Sequence, residues 1–358
     1  MTIDAHHHVW DLSVRDQPWL DQPQLAPIRR NFLICDLEPE AAAHGITETV
    51  VVQTVTEPEE TPELLALAES SDLVAGVVGW VDLEAAGVAD VLAALRELPG
   101  GDRLVSIRHP VIIESDPDWL ARPSVLHGLA AVAAAGLCYD VVVMPEQLRG
   151  AVLAAAALPE LTFVLDHLGN PDVEGWVGGP VGGAADSAAG GAAGQSWTRG
   201  IADFAARPNT VAKLSGFLGE LAPRSAGPPF ADLAAGGDLA AGGDPVAGGD
   251  PVAGGDPVAG GDPVAGGDPV AGGDPVAGDP AAGADPASVA HLRPYYEIAL
   301  AHFGPQRLMY GSDWPVSTIN VGYGGVYAAA RSLAANLSPS EKAAIFSGTA
   351  RSTYGLRT

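Results

Sequence analysis

The chain has 358 residues, 47% of them hydrophobic, and a formal net charge of −26. That is enough apolar material for one large domain, and an acidity that argues against nucleic acid or an anionic membrane as partner. Ten of the acidic residues are aspartates between positions 226 and 290, a stretch with no Lys or Arg, but the remainder is still acidic. The two cysteines, Cys35 and Cys138, suggest no disulfide framework. No apolar run reaches the roughly 18–20 residues of a membrane span, and the first residues, Thr2-Ile3-Asp4-Ala5-His6, read as a strand rather than a leader. A cytoplasmic protein is the expectation.

In chain order, eight short apolar segments have the character of buried parallel strands: residues 3–9, 49–54, 74–82, 105–110, 138–143, 162–169, 210–216 and 307–315. Ala- and Leu-rich stretches with helical spacing lie between most of them, over 60–71, 88–98, 124–135, 145–157, 197–206 and 289–303, and two follow the last strand at 324–336 and 338–347. Ser338 followed by Glu341 forms a capping box at the start of the final helix. Alternation of this kind predicts parallel βα units, and eight of them predict a closed (β/α)8 TIM barrel, a fold that needs roughly 250 residues. An open, doubly wound sheet is the alternative, but no Gly-rich phosphate fingerprint follows an early strand.

Two segments interrupt the rhythm within this single domain of residues 1–358. Residues 177–194 form a Gly/Ala-rich loop, and residues 226–288 hold an insertion after strand seven. The hexapeptide Gly-Gly-Asp-Pro-Val-Ala occurs there six times in perfect tandem, from Gly242 to Ala277. Six-residue periods also occur in β-helices, and Gly/Asp-rich repeats can bind calcium. A proline in every unit and no bulky core residue favour a loop that cannot repay its ordering entropy.

The polar residues that interrupt the apolar strands fall near their C-terminal ends, the face where barrel enzymes assemble their sites. Strand one carries His6-His7-His8. Residues two apart share a face, so His6 and His8 point together and His7 points away. A tag remnant would not continue into Val9-Trp10-Asp11. Strand four ends in Arg108-His109, a guanidinium beside an imidazole, suited to a carboxylate, a lactone or hydroxyl oxygens, or to a salt bridge over the barrel end. Strand six ends in Asp166-His167, of which one must face the interior. Strand seven offers Lys213 or Ser215, and strand eight ends in Ser312-Asp313-Trp314-Pro315. In a closed barrel strand eight adjoins strand one, so Asp313 falls beside His6 and His8, an arrangement that binds a metal or deprotonates a water.

An HxH on strand one, a His on strand six and an Asp on strand eight resemble the amidohydrolase superfamily. Ile3-Asp4-Ala5-His6-His7-His8-Val9-Trp10, Arg108-His109, Asp166-His167-Leu168-Gly169 and Gly311-Ser312-Asp313-Trp314-Pro315 are more narrowly similar to its amidohydrolase-related branch. That branch holds L-fuconolactonase, other sugar lactonases and 2-pyrone-4,6-dicarboxylate lactonase. The resemblance runs from residue 3 to 356; the tail has Thr349-Ala350 where Asn-Ala is usual. It implies a distorted barrel and a hydrolase that opens a sugar-acid lactone with water activated by Asp313. His6, His8 and His167 complete the catalytic set. Arg108, His109, Trp10, Trp80 and Trp314 are the expected substrate contacts. Strand five has neither the lysine nor the glutamate of binuclear relatives, so the resemblance implies at most one divalent metal, zinc or manganese, on His6, His8, His167 and Asp313, dispensable in some relatives. The expected partner is a small-molecule lactone, in a chain that can form homo-oligomers. A metal-dependent decarboxylase of the same superfamily and a non-catalytic binding protein are the alternatives.

Overall fold

Strand alternation with helices closes here into a barrel. In the computed structural model the described residues are 1–171, 192–216 and 286–357; most of the 177–194 loop and nearly all of the 226–288 insertion lie outside them. Strands β1 (Thr2–His7), β2 (Ile46–Val52), β3 (Val74–Gly79), β4 (Leu104–Pro110), β5 (Cys138–Val142), β6 (Phe163–Leu165), β7 (Thr210–Leu214) and β8 (Leu308–Tyr310) are parallel neighbours in sequence order. Backbone bonds from His8 N to Trp314 O (2.7 Å) and from Asp313 N to His6 O (2.8 Å) join the last segment to the first at the C-terminal rim. This closure excludes the doubly wound alternative.

Helices α1 (Ile34–Ala43), α2 (Glu60–Ser70), α3 (Val88–Arg96), α4 (Pro123–Ala134), α5 (Leu148–Ala157), α6 (Ala192–Ala205), α7 (Pro286–Phe303) and α8 (Tyr323–Leu333) form the outer layer. In α3 the buried residues Val88, Leu92 and Leu95 recur at helical spacing, so one stripe faces the strands. The tail runs through α9 (Pro339–Ala343), a π turn (Ala344–Gly348) and α10 (Thr349–Tyr354). Ser338 caps α9 and Glu341 closes the capping box, as the sequence predicts. Among the described residues no helix is long and apolar enough to cross a membrane, and both cysteines are free.

Two apolar clusters hold the fold. The larger fills the space between strands and helices. The smaller occupies the barrel interior, with Ile3, Ala5, Val50, Val52, Val78, Val164, Val211 and Met309, and is stopped at its N-terminal end by Ala350, Tyr354 and Leu356. The C-terminal helix and tail are therefore the barrel's floor. The long segment after β1 packs as two short 3-10 turns, Pro18–Asp21 and Pro23–Ile28, with Leu20, Leu25, Ile28 and Phe32 buried.

Candidate active site

The interior changes character two residues beyond the apolar layer. Following Cys138, Val164 and Val211 on their own faces come Asp140, Asp166 and Lys213, all fully buried. Arg108 on β4, 6% exposed, joins them. Lys213 Nζ lies 2.5 Å from Asp140 Oδ2 and 3.1 Å from Asp166 Oδ1, and Arg108 Nη1 donates to Asp166 Oδ2 at 3.1 Å. Ser106 and Tyr354 donate to Asp140 at 2.6 and 2.8 Å. Two cations and two carboxylates thus form a compensated layer, the condition under which buried charge is tolerated. Burial disfavours an ionised Asp166, but Lys213, His6 and Arg108 outweigh it and hold its carboxyl well below the usual carboxylate range.

The histidines stand above this layer. Ile3 and Ala5 both belong to the inner cluster, so strict alternation would send His7 inward. A register irregularity between Asp4 and His7 re-phases the strand. His7 then bonds Thr49 Oγ1 on β2 (2.9 Å), while the Nε2 atoms of His6 and His8 lie 3.2 Å apart. His6 and His8 share one face and His7 another, as the spacing predicts.

Asp166 and His167 depart from expectation, because both face the site. Strand geometry ends at Leu165, and the next residues form a left-handed turn with φ of 53° at His167, 52° at Leu168, 71° at Gly169 and 49° at Asn170. Such values are uncommon away from glycine, and here they bring two consecutive side chains to one place. Asp313 also has a positive φ, 56°. Of the strand-seven pair, too, neither is excluded: Lys213 enters the ionic layer and Ser215 Oγ lies 2.9 Å from His167 Nδ1. Gly216 makes that seat available, since a Cβ there, at φ +62°, would lie 2.5 Å from His167 Nδ1.

Asp313 Oδ1 is the point of convergence. It lies 3.6 Å from His6 Nε2, 3.5 Å from His8 Nε2 and 4.0 Å from His167 Nε2. His6, His167 and Asp313 each offer a ligand atom within 4.8 Å of the others. Tetrahedral zinc with Zn–N of about 2.0–2.1 Å has ligand–ligand edges of roughly 3.3 Å, so the spacing of these nitrogen and oxygen donors suits one such cation. Burial lowers the pKa of all three imidazoles, His8 to about 3, which keeps them neutral and able to ligate. Burial raises the Asp313 carboxyl, with His167 and Arg108 opposing. His8 Nδ1 meets the Val52 carbonyl at 2.8 Å, so it carries the ring proton and leaves Nε2 as a lone pair.

The remaining residues singled out in the sequence are placed in two groups. Arg108 borders the cluster; its Nη2 donates to Gln53 Oε1 at 3.0 Å, and its Nε is buried without a partner among the described residues. His109 is engaged on every side: Trp80 Nε1 donates to its Nδ1 (3.1 Å), its Nε2 donates to Glu114 (2.9 Å), and its ring stacks on Trp119 at 4.3 Å. Trp10 and Trp314 are buried and meet Phe32 edge-on, each with ring centroids 5.4 Å apart. Residues not singled out as functional also belong here. Asp4 accepts from Ser312 N (2.8 Å), His6 N (3.2 Å) and Tyr323 Oη (3.0 Å), tying β1 to β8. An acidic residue between Ile3 and Ala5 in a buried strand is the available signal. Gln53, at the end of β2, carries no comparable signal.

The chain is matched over residues 3–356 by the family model described as amidohydrolase. It is 28% identical to an L-fucono-1,5-lactonase of Burkholderia ambifaria, over 98% of this chain and 94% of that one. A second L-fucono-1,5-lactonase, of Burkholderia multivorans, is 27% identical over 99% and 96%. Among solved structures, an amidohydrolase of Burkholderia multivorans with bound zinc is similar at a TM-score of 0.73 and 26% identity, over the whole of both chains.

Proposed function

Because the chain belongs to the amidohydrolase family, we propose that it is a hydrolase opening the ring ester of a sugar-acid lactone, of the kind named for its L-fucono-1,5-lactonase relatives. The observation that carries this reading is the convergence of three buried, neutral imidazoles on one carboxylate oxygen at the C-terminal rim, 3.5 to 4.0 Å from it. Neutral nitrogen donors around an anionic oxygen leave a place for one cation. His6, His8, His167 and Asp313 would hold a divalent ion; the related Burkholderia multivorans structure carries bound zinc. When bound, that ion supplies Lewis-acid polarisation of a carbonyl and a lowered water pKa.

Asp313 carries the proton traffic. Its carboxylate takes a proton from water as the water oxygen bonds to the lactone carbonyl carbon. It returns that proton to the ring oxygen as the carbon–oxygen bond breaks, so that ester and water become carboxylic acid and alcohol. The carboxyl raised by burial suits this role, because a base works best with a pKa drawn towards the working pH. Arg108 Nε, buried without a partner among the described residues, is the nearby donor for a substrate oxygen. Trp80, only partly buried, is the tryptophan best placed to meet a sugar-ring face.

A pH-indicator assay on a panel of five- and six-membered aldonolactones tests the reading, with protein as purified, after chelation and after zinc is restored. Acid release that chelation removes and zinc restores is the expected result. Silence across the panel, with carbon dioxide released from an unsaturated carboxylic acid, would overturn it in favour of decarboxylation.

A further inference from the structure

A lysine with no exposed surface at the centre of a barrel is a costly residue unless its charge is used. Lys213 is such a residue. Its ammonium is paired with Asp140 and Asp166, and its remaining direction is His6 Nδ1, 3.2 Å away. An ammonium has donors and no acceptor, so Nδ1 receives this bond and the His6 ring proton sits on Nε2. There it meets His8 Nε2 at 3.2 Å. That atom is an acceptor, because His8 Nδ1 donates to the Val52 carbonyl. One directed chain therefore runs from Lys213 through His6 and His8 to the backbone of β2.

A cation at the rim reverses the demand on His6, since ligation uses the Nε2 lone pair and the ring proton must then be on Nδ1. Lys213 cannot accept it. The atom that can is Asp166 Oδ1, which lies 3.3 Å from His6 Nδ1. This oxygen is buried and also lies 3.1 Å from Lys213 Nζ, so the ammonium and the carboxylate stand together on the Nδ1 side of the His6 ring.

We infer that Lys213 and Asp166 are alternative partners for His6 Nδ1, making Lys213 a positioning residue that holds the His6 ring proton on Nε2 until a cation enters and the proton passes to the Asp166 side. No charge is gained or lost in the exchange; a ring proton changes nitrogen, and the donor to Nδ1 becomes an acceptor from it. The second half rests on the cation site proposed above, whereas the first half, that Lys213 sets the tautomer, does not.

The test is nitrogen NMR of the full chain labelled with 15N in the histidine rings, His6 being assigned by the loss of its signals in His6→Asn. In metal-free protein His6 is expected as the Nε2–H tautomer, and zinc titration is expected to convert it to Nδ1–H. In Lys213→Met the Nδ1–H form is expected before zinc is added, with no exchange on titration. Should that variant fail to fold, Lys213→Met with Asp140→Asn removes one charge of each sign and carries the same expectation. A metal-free wild type already in the Nδ1–H form, or one tautomer shared by wild type and both Lys213 variants, would overturn the role of Lys213. If wild type takes up no zinc, the cation site falls, and with it the second half, while the metal-free spectra still decide the first.

Discussion

The two ends of the barrel interior are built on the same strands and solve different problems. At the floor, Val164, Val211 and Met309 meet Tyr354 and Leu356 in an apolar layer, where each buried side chain contributes by leaving water. Two residues further along, β5, the turn that follows β6, and β7 carry Asp140, Asp166 and Lys213. Burial there costs stability, and only mutual pairing offsets it. The contrast separates residues whose loss should reduce stability from residues whose loss should reduce chemistry. Strain falls on the chemical side too: His167 and Asp313 both have left-handed backbones.

The largest expected effect is at Asp313. Asp313→Asn keeps the side chain's shape and removes the base, so kcat on a responsive aldonolactone should fall by about a thousandfold or more. The melting temperature should stay close to wild type; a variant retaining most of its rate would remove Asp313 from the mechanism. Gly216→Ala comes next. Its methyl group would press on the His167 ring, and a displaced imidazole should cost on the order of a hundredfold in kcat/KM, with about 1–3 kcal/mol of stability from overpacking. Equal kinetics in wild type and variant would show that the turn tolerates the methyl.

At the floor the expectation is reversed. Leu356→Ala should cost about 3 kcal/mol in urea unfolding and leave kcat unchanged. A fall in kcat without loss of stability would mean the two layers are coupled. The smallest effect concerns Asp4, whose carboxyl burial pushes up to about 6 from 3.8, against the lowering by the bonds from Ser312, His6 and Tyr323. A carboxyl raised in the folded state adds stability that is complete below 3.8 and lost as pH rises through about 6. Asp4→Asn stays neutral, so relative to wild type it should gain on the order of 2 kcal/mol between pH 4 and 7. A gap that does not change with pH would mean that Asp4 is ionised throughout.

Much of this division was legible in the sequence. The eight strands stand out because each is a short apolar run bounded by turn residues, and the rim histidines and Asp313 stand out because they interrupt such runs. Helix α1 was not legible: of its ten residues only Leu37 and Ala41 are buried, and Pro39 lies inside it. Nor was the shared placement of Asp166 and His167, since alternation along a strand assigns one residue to each face. A left-handed turn after Leu165 sets that rule aside, and nothing local in Asp-His-Leu-Gly-Asn except the glycine announces it. The re-phasing of β1 was equally hidden, although it left the His6/His8 pairing as expected. Lys213 and Asp140 were visible as polar residues on strands; their pairing needed the closed barrel.

The central claim, that the rim cluster adds water to a lactone carbonyl, is tested most directly by turnover of L-fucono-1,5-lactone in 18O-labelled water with mass analysis of the product. The account predicts one labelled oxygen, located in the carboxylate, at a rate that vanishes in Asp313→Asn. Label in the ring-derived hydroxyl, or no turnover of this lactone while carbon dioxide is released from another acid, would contradict it.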